Sequence, residues 1–111
     1  MLEALVKRIV GVLERHGCYI DRETGLCSIQ TDTYSKTFYF MLPINAYEMK
    51  GVMTAFEAVG NQMTDDGYRR TLRILTEIQL VIDHSKLKPD NRLKYLSVTP
   101  SVRWELQKAI R

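Results

Sequence analysis

The residues of this 111-residue chain whose types invite a chemical reading are two cysteines, two histidines and a set of basic side chains towards its C-terminal end. Cys18 and Cys27 lie in the run Cys-Tyr-Ile-Asp-Arg-Glu-Thr-Gly-Leu-Cys. Neither has a companion His or Cys at ligand spacing, and a zinc site needs three or four donors, so free thiols are expected. If Asp21 to Gly25 closes a hairpin, the two cysteines lie opposite one another, where oxidation could cross-link them. His16 and His84 stand 68 residues apart. There is no Gly-rich phosphate loop, no paired metal-ligand motif, and no serine or cysteine with a recognisable activating neighbour. The one catalytic grouping left to the tertiary fold is His84, Asp83 and Cys18. A non-catalytic protein without cofactor or metal is therefore expected.

The basic residues carry a more specific message. Arg69, Arg70 and Arg73 fall on a helical segment, and at about 100° per residue they lie within roughly 100° of one another, joined by Thr76 and Glu77. An arginine cluster of this kind can pair with phosphates or donate two parallel hydrogen bonds to a guanine edge. Thr71 and Thr76 can add contacts, although Thr71 can equally bond its own helix backbone. The alternative for the arginines is a solvated face stabilised by a pair such as Arg73 with Glu77. Further on, Lys86, Lys88, Arg92 and Lys94 can neutralise backbone charge, and Asp90 is placed to orient Arg92. The charge distribution agrees: residues 1–60 hold six Lys/Arg against seven Asp/Glu, and residues 61–111 hold ten against six. The net charge of +3 is thus a C-terminal property, and it favours an anionic partner only modestly.

The elements that must position these side chains can be read from periodicity. Leu2, Leu5, Val6, Ile9, Val10 and Leu13 form one apolar stripe of a helix over residues 2–16, stopped by Gly17, with Arg15 and His16 at the negative end of its dipole. Cys18–Ile20, Leu26–Gln30 and Thr37–Leu42 are rich in β-branched and aromatic residues and read as strands. The last is apolar on both faces and is expected to be at least partly covered on both. Thr31 to Lys36 is a polar loop, and Pro43 ends the strand. Asn45 opens a helix, with Glu48 able to cap reciprocally, and Met49, Val52, Met53, Phe56 and Val59 face inward until Gly60. Thr64 caps the next helix, with Asp65 and Asp66 in its first turn and Tyr68, Leu72, Leu75 and Ile78 inward. Leu80-Val81-Ile82 then reads as a strand, followed by a basic tip and a second strand over Leu93 to Val98. Thr99 and Pro100 start a final helix with Val102, Leu106, Ala109 and Ile110 as its stripe. The five parts are thus a helix over 1–16, strands over 18–42, a helix-turn-helix over 45–78, a hairpin over 79–98 and a helix over 99–111.

Composition sets the frame around these elements. With 45% hydrophobic, 9% aromatic and 26% charged residues the chain has the make-up of one globular α+β domain and is unlike a disordered one. No stretch approaches the roughly 18 apolar residues of a membrane span, and Glu3, Lys7, Arg8, Glu14 and Arg15 interrupt the first apolar run. A cytoplasmic protein with no membrane association and no small-molecule ligand is expected.

In order and in motif the C-terminal half resembles the winged helix-turn-helix superfamily. The resemblance rests on Tyr68 to Glu77 as the recognition helix, Leu80-Val81-Ile82 as the first wing strand, Lys88-Pro89-Asp90-Asn91-Arg92 as the wing tip, and Leu96-Ser97-Val98-Thr99-Pro100. It is similar to the MarR type, with Asp90-x-Arg92 and Val98-Thr99-Pro100 in the matching places, and it covers about half the chain. Two departures accompany it: several strands over 18–42 where one short strand is usual, and no long terminal helices for dimerisation. What the resemblance implies is a winged-helix domain that binds double-stranded DNA, as a transcriptional regulator or a replication or partition accessory, with its recognition helix in the major groove and its wing on the flanking backbone. The DNA contacts it implies are Arg69, Arg70, Arg73, Thr76, Lys86, Lys88, Arg92 and Lys94. A domain this small buries limited surface on DNA, so a homodimer is expected. The other reading is an adaptor or inhibitor that offers a basic and aromatic patch, drawn from Tyr34, Tyr47, Tyr95 and Trp104, to a protein partner.

Overall fold

A computed structural model of the chain describes residues 2–21, 23–31 and 36–85. The order is α1 (Leu2–Arg15), β1 (Tyr19–Ile20), β2 (Leu26–Gln30), β3 (Thr37–Met41), α2 (Ala46–Val59), a 3-10 turn (Gly60–Gln62) and α3 (Asp65–Asp83). The three strands form one antiparallel sheet in the order β1-β2-β3. The protein is thus a small α+β domain, as its pattern predicts. Among the described residues no helix is long and apolar enough to cross a membrane.

Local chemistry explains where each element stops and starts. α1 ends in a Schellman motif: the Cys18 amide bonds the Leu13 carbonyl at 2.9 Å and the Gly17 amide bonds that of Glu14 at 3.0 Å. Gly17 sits at φ 73°, which glycine adopts without the penalty a Cβ would bring. The β1–β2 turn closes through Asp21, whose carboxylate accepts from the Glu23 amide at 2.9 Å, with Gly25 at φ 79°. Asn45 caps α2 by accepting from the Glu48 amide at 2.8 Å, and the Glu48 carboxylate reaches back to the Ile44 amide at 3.1 Å. Thr64 caps α3 through the Gly67 amide at 3.1 Å, with Asp65 and Asp66 in the first turn.

One core joins these pieces. Leu5, Val6, Ile9, Val10 and Leu13 of α1 meet Cys27, Ile29, Phe38 and Phe40 of the sheet, Met49, Val52 and Phe56 of α2, and Ile74, Leu75, Ile78 and Ile82 of α3. Phe56 is wholly buried, edge-on to Phe38 with ring centroids 6.0 Å apart and against Tyr68 at 4.9 Å. Gly67 brings α3 so close to the end of β2 that a Cβ there would collide with the Thr31 carbonyl.

Four expectations are corrected. Leu80, Val81 and Ile82 are not a wing strand. They continue α3 to Asp83, because Ile78 and Ile82, four residues apart, extend the buried stripe by another turn. The inward face of α3 is Gly67, Thr71, Ile74, Leu75, Ile78 and Ile82, turned by about 50° from the predicted stripe, so that Tyr68 and Leu72 lie at its exposed margin. β3 is covered on one side only, burying Phe38 and Phe40 while Tyr39 and Met41 are open. Finally, the cysteines are diagonal and not opposite: Cys27 faces Ile20 in the ladder, which sets Cys18 two residues further along. The second hairpin strand over 93–98 and the final helix from Thr99 lie outside the described residues, as do Tyr34, Tyr95 and Trp104.

Candidate functional site

α3 carries the arginines whose placement decides what its surface can do. Its first two turns are anchored to β2 through Gly67, and its middle is anchored to α1. Arg69 and Arg73 lie on the outer side, one helical turn apart, and both are exposed. Neither makes an ion pair with a described residue; the two ion pairs among the described residues both involve Glu77. Thr76 is exposed on the same stripe.

Arg70 is different. Its Nη2 donates to the His16 carbonyl at 2.8 Å and its Nε to the Gln30 carbonyl at 3.3 Å. The His16 carbonyl is one of those left without an intrahelical partner at the end of a helix, so Arg70 caps α1 from α3 while also holding the end of β2. Arg70 is therefore committed to tying three elements together and is removed from the expected contact set. The turned inward face of α3 accounts for this, since it moves Arg70 from the outer face to the flank. Of the two roles open to Thr71 the structure shows the bond to its own helix backbone: it is fully buried and its hydroxyl donates to the Gly67 carbonyl at 2.8 Å.

Glu77 does not pair with Arg73. Its Oε2 accepts from Arg15 at 2.8 Å and lies 3.0 Å from His16 Nε2. The His16 and Arg15 hydrogen bonds hold the Glu77 carboxyl below its ordinary range. With Glu77 bound to Arg15 and His16, Arg73 is exposed and makes no ion pair with a described residue. His16 has a structural task on α1, and His84 and Asp83 end α3 about 20 Å along the helix from Arg70, beside which Cys18 lies. The grouping of His84, Asp83 and Cys18 is not assembled.

The thiols sit in different surroundings. Burial pushes the Cys27 thiol up to about 12, with the neighbouring Cys18 adding to the effect. Burial also raises Cys18, partly offset by the Arg70 charge. No group of three or more His, Cys, Asp or Glu able to hold a metal occurs among the described residues.

The stripe has a second character that periodicity missed. Leu72, expected inside, and Leu80, expected in a wing strand, are 36% and 50% exposed. They bracket Arg73 and Thr76, while Asp65, Asp66 and Asp83 mark the two ends of the helix. α3 therefore holds three arginines against four acids, and the basic excess of the chain belongs to residues 86–111, with seven Lys/Arg against two Asp/Glu. Lys86, Lys88, Arg92 and Lys94 are in that stretch, outside the described residues. The other unforeseen surface is the open face of the sheet, where Tyr19 and Tyr39 are 67% and 61% exposed on either side of Ser28. Alternation along β3 was the available signal for Tyr39. Tyr47, expected in an aromatic patch, is exposed on α2.

In comparisons with protein-family models, curated proteins and solved structures, the chain matches none.

Proposed function

We propose that the protein is a non-catalytic double-stranded DNA-binding domain of winged-helix type, a regulator or replication or partition accessory, whose contact surface is the outer stripe of α3 and the basic residues that follow it. The observation that carries this reading is the pair Arg69 and Arg73, exposed one turn apart with no described carboxylate paired to either. Two guanidinium groups at that spacing meet phosphates or a guanine edge from one helix face, with Thr76 beside them. Asp65, Asp66 and Asp83 at the helix ends confine the contact to its middle. The reading needs the positive charge of residues 86–111 to supply most of the backbone attraction through Lys86, Lys88, Arg92 and Lys94. Because α3 absorbs Leu80, Val81 and Ile82, any wing must lie wholly after Ser85.

A second reading is favoured by Leu72 and Leu80. Apolar side chains eight residues apart, flanked by arginines, suit a helix or strand of a protein partner. Titrating a random-sequence duplex against salt separates the two. DNA binding that falls steeply between 50 and 200 mM salt supports the first reading, and the absence of duplex binding at 50 mM salt overturns it.

A further inference from the structure

The side of β3 away from β2 is a strand edge with no described neighbour. Which backbone groups it presents follows from the ladder. The Leu42 amide bonds the Gly25 carbonyl at 3.0 Å and the Thr31 amide bonds the Lys36 carbonyl at 2.9 Å. Antiparallel ladders alternate such pairs, so Lys36, Phe38, Phe40 and Leu42 aim their backbone groups at β2, while Thr37, Tyr39 and Met41 aim theirs outward. From Thr37 to Leu42 the edge carries no charge and no proline, the features by which exposed edges are ordinarily protected from pairing. Alongside it runs a groove of about 320 Å³ between β3 and α2, lined by Phe40, Met41, Glu48, Gly51, Val52 and Ala55. Gly51 and Ala55 are both exposed and small, which leaves room beside the strand.

We infer that two copies of this chain pair through β3, antiparallel about a two-fold axis at Tyr39, to form one continuous six-stranded sheet. The edge is self-complementary in that register. Tyr39 faces Tyr39, and Thr37 faces Met41 on both sides of the axis, so all three outward residues pair, with about six amide–carbonyl bonds in total. Lys36, exposed and on the same strand face as Phe38 and Phe40, comes opposite Leu42 of the other copy, so no like charges meet along the paired edge. A second copy thus supplies backbone and apolar complementarity at once. The inference stands apart from the identity of the DNA or protein partner, because no residue of the α3 stripe takes part.

The test is the mass of the full chain in solution, with two variants. The wild type is expected at twice its 12.9 kDa by sedimentation equilibrium at 50 μM. Tyr39→Pro removes an outward amide and leaves the β2 ladder intact, and is expected to be folded by circular dichroism and monomeric. Tyr39→Cys is expected to give a covalent dimer under mild oxidation, since paired residues at the axis have Cα atoms about 5.5 Å apart, within disulfide range. Thr37→Cys, facing Met41, is expected to give no more cross-link than the wild type with its Cys18. A monomeric wild type overturns the inference, including one whose Thr37, Tyr39 and Met41 amides are protected from exchange by residues 93–98 of the same chain. So does a dimer that persists in folded Tyr39→Pro, or one in which Tyr39→Cys does not cross-link.

Discussion

The guanidinium of Arg70 donates to the backbone carbonyl of His16 at 2.8 Å, so the C-terminal end of α1 is capped by a side chain from α3. Hydrogen bonds with a charged donor contribute more than neutral ones, and Arg70→Ala leaves the part-buried His16 carbonyl and the exposed Gln30 carbonyl without this donor. We expect Arg70→Ala to lower stability by about 1.5–3 kcal/mol in urea unfolding. Arg69→Ala and Arg73→Ala, which make no ion pair with a described residue, are expected to stay within about 0.5 kcal/mol of wild type. Equal losses for all three would refute the separation of Arg70 from its neighbours.

The contact between Gly67 and the Thr31 carbonyl fixes the start of α3 against the end of β2. Alanine is ordinarily favoured over glycine inside a helix, by about 1 kcal/mol. Here the added methyl meets backbone, which cannot swing aside, and Gly67→Ala is expected to destabilise by about 1–3 kcal/mol despite its better propensity. A stabilised variant in thermal unfolding would mean that the two backbones are not in contact.

Most of the fold was legible because its signals are local. Gly17, Asn45 with Glu48, and Thr64 place helix ends within a residue, since capping depends on a handful of adjacent groups. The failures are those of a signal that reports apolarity without direction. Leu80-Val81-Ile82 reads as a strand in isolation, yet Ile82 is one turn beyond Ile78 and the helix simply continues. Leu72 is as apolar as Leu75 and Tyr68 carries a large apolar ring, and only the packing of α3 against both α1 and α2 reveals that the buried face is centred on Thr71, Ile74 and Ile78. That rotation converts Arg70 from a surface group into a cap, and no spacing rule could have separated it from Arg69.

Glu77 gives the α1–α3 contact a pH dependence of definite sign. Its carboxyl is held below the ordinary 4.5 in the folded protein, first by the His16 hydrogen bond and then by that of Arg15. A carboxyl depressed on folding contributes stability above its unfolded value and loses it as pH falls through the folded one. The stability difference between wild type and Glu77→Gln is therefore expected to be full above about pH 5 and to shrink progressively below 4.5. A difference that is constant from pH 7 to 3 would contradict the pairing.

The two thiols are expected to react in sequence. Cys27 is fully buried with its thiol pushed to about 12, whereas Cys18 is part-exposed, raised by burial and lowered in turn by the Arg70 charge. Alkylation at pH 8 should modify Cys18 slowly and Cys27 only when the protein unfolds. Mass spectrometry of the labelled peptides checks this, and simultaneous labelling would place Cys27 outside the core.

The proposed function turns on Arg69 and Arg73, and fluorescence anisotropy of a labelled duplex with the Arg69→Ala/Arg73→Ala variant tests it most directly. Losing two phosphate contacts should weaken binding and reduce the slope of log affinity against log salt by about 2, with the unfolding midpoint unchanged. A variant that binds duplex DNA with the affinity and salt slope of wild type would contradict the assignment of the α3 stripe as the DNA-contacting surface.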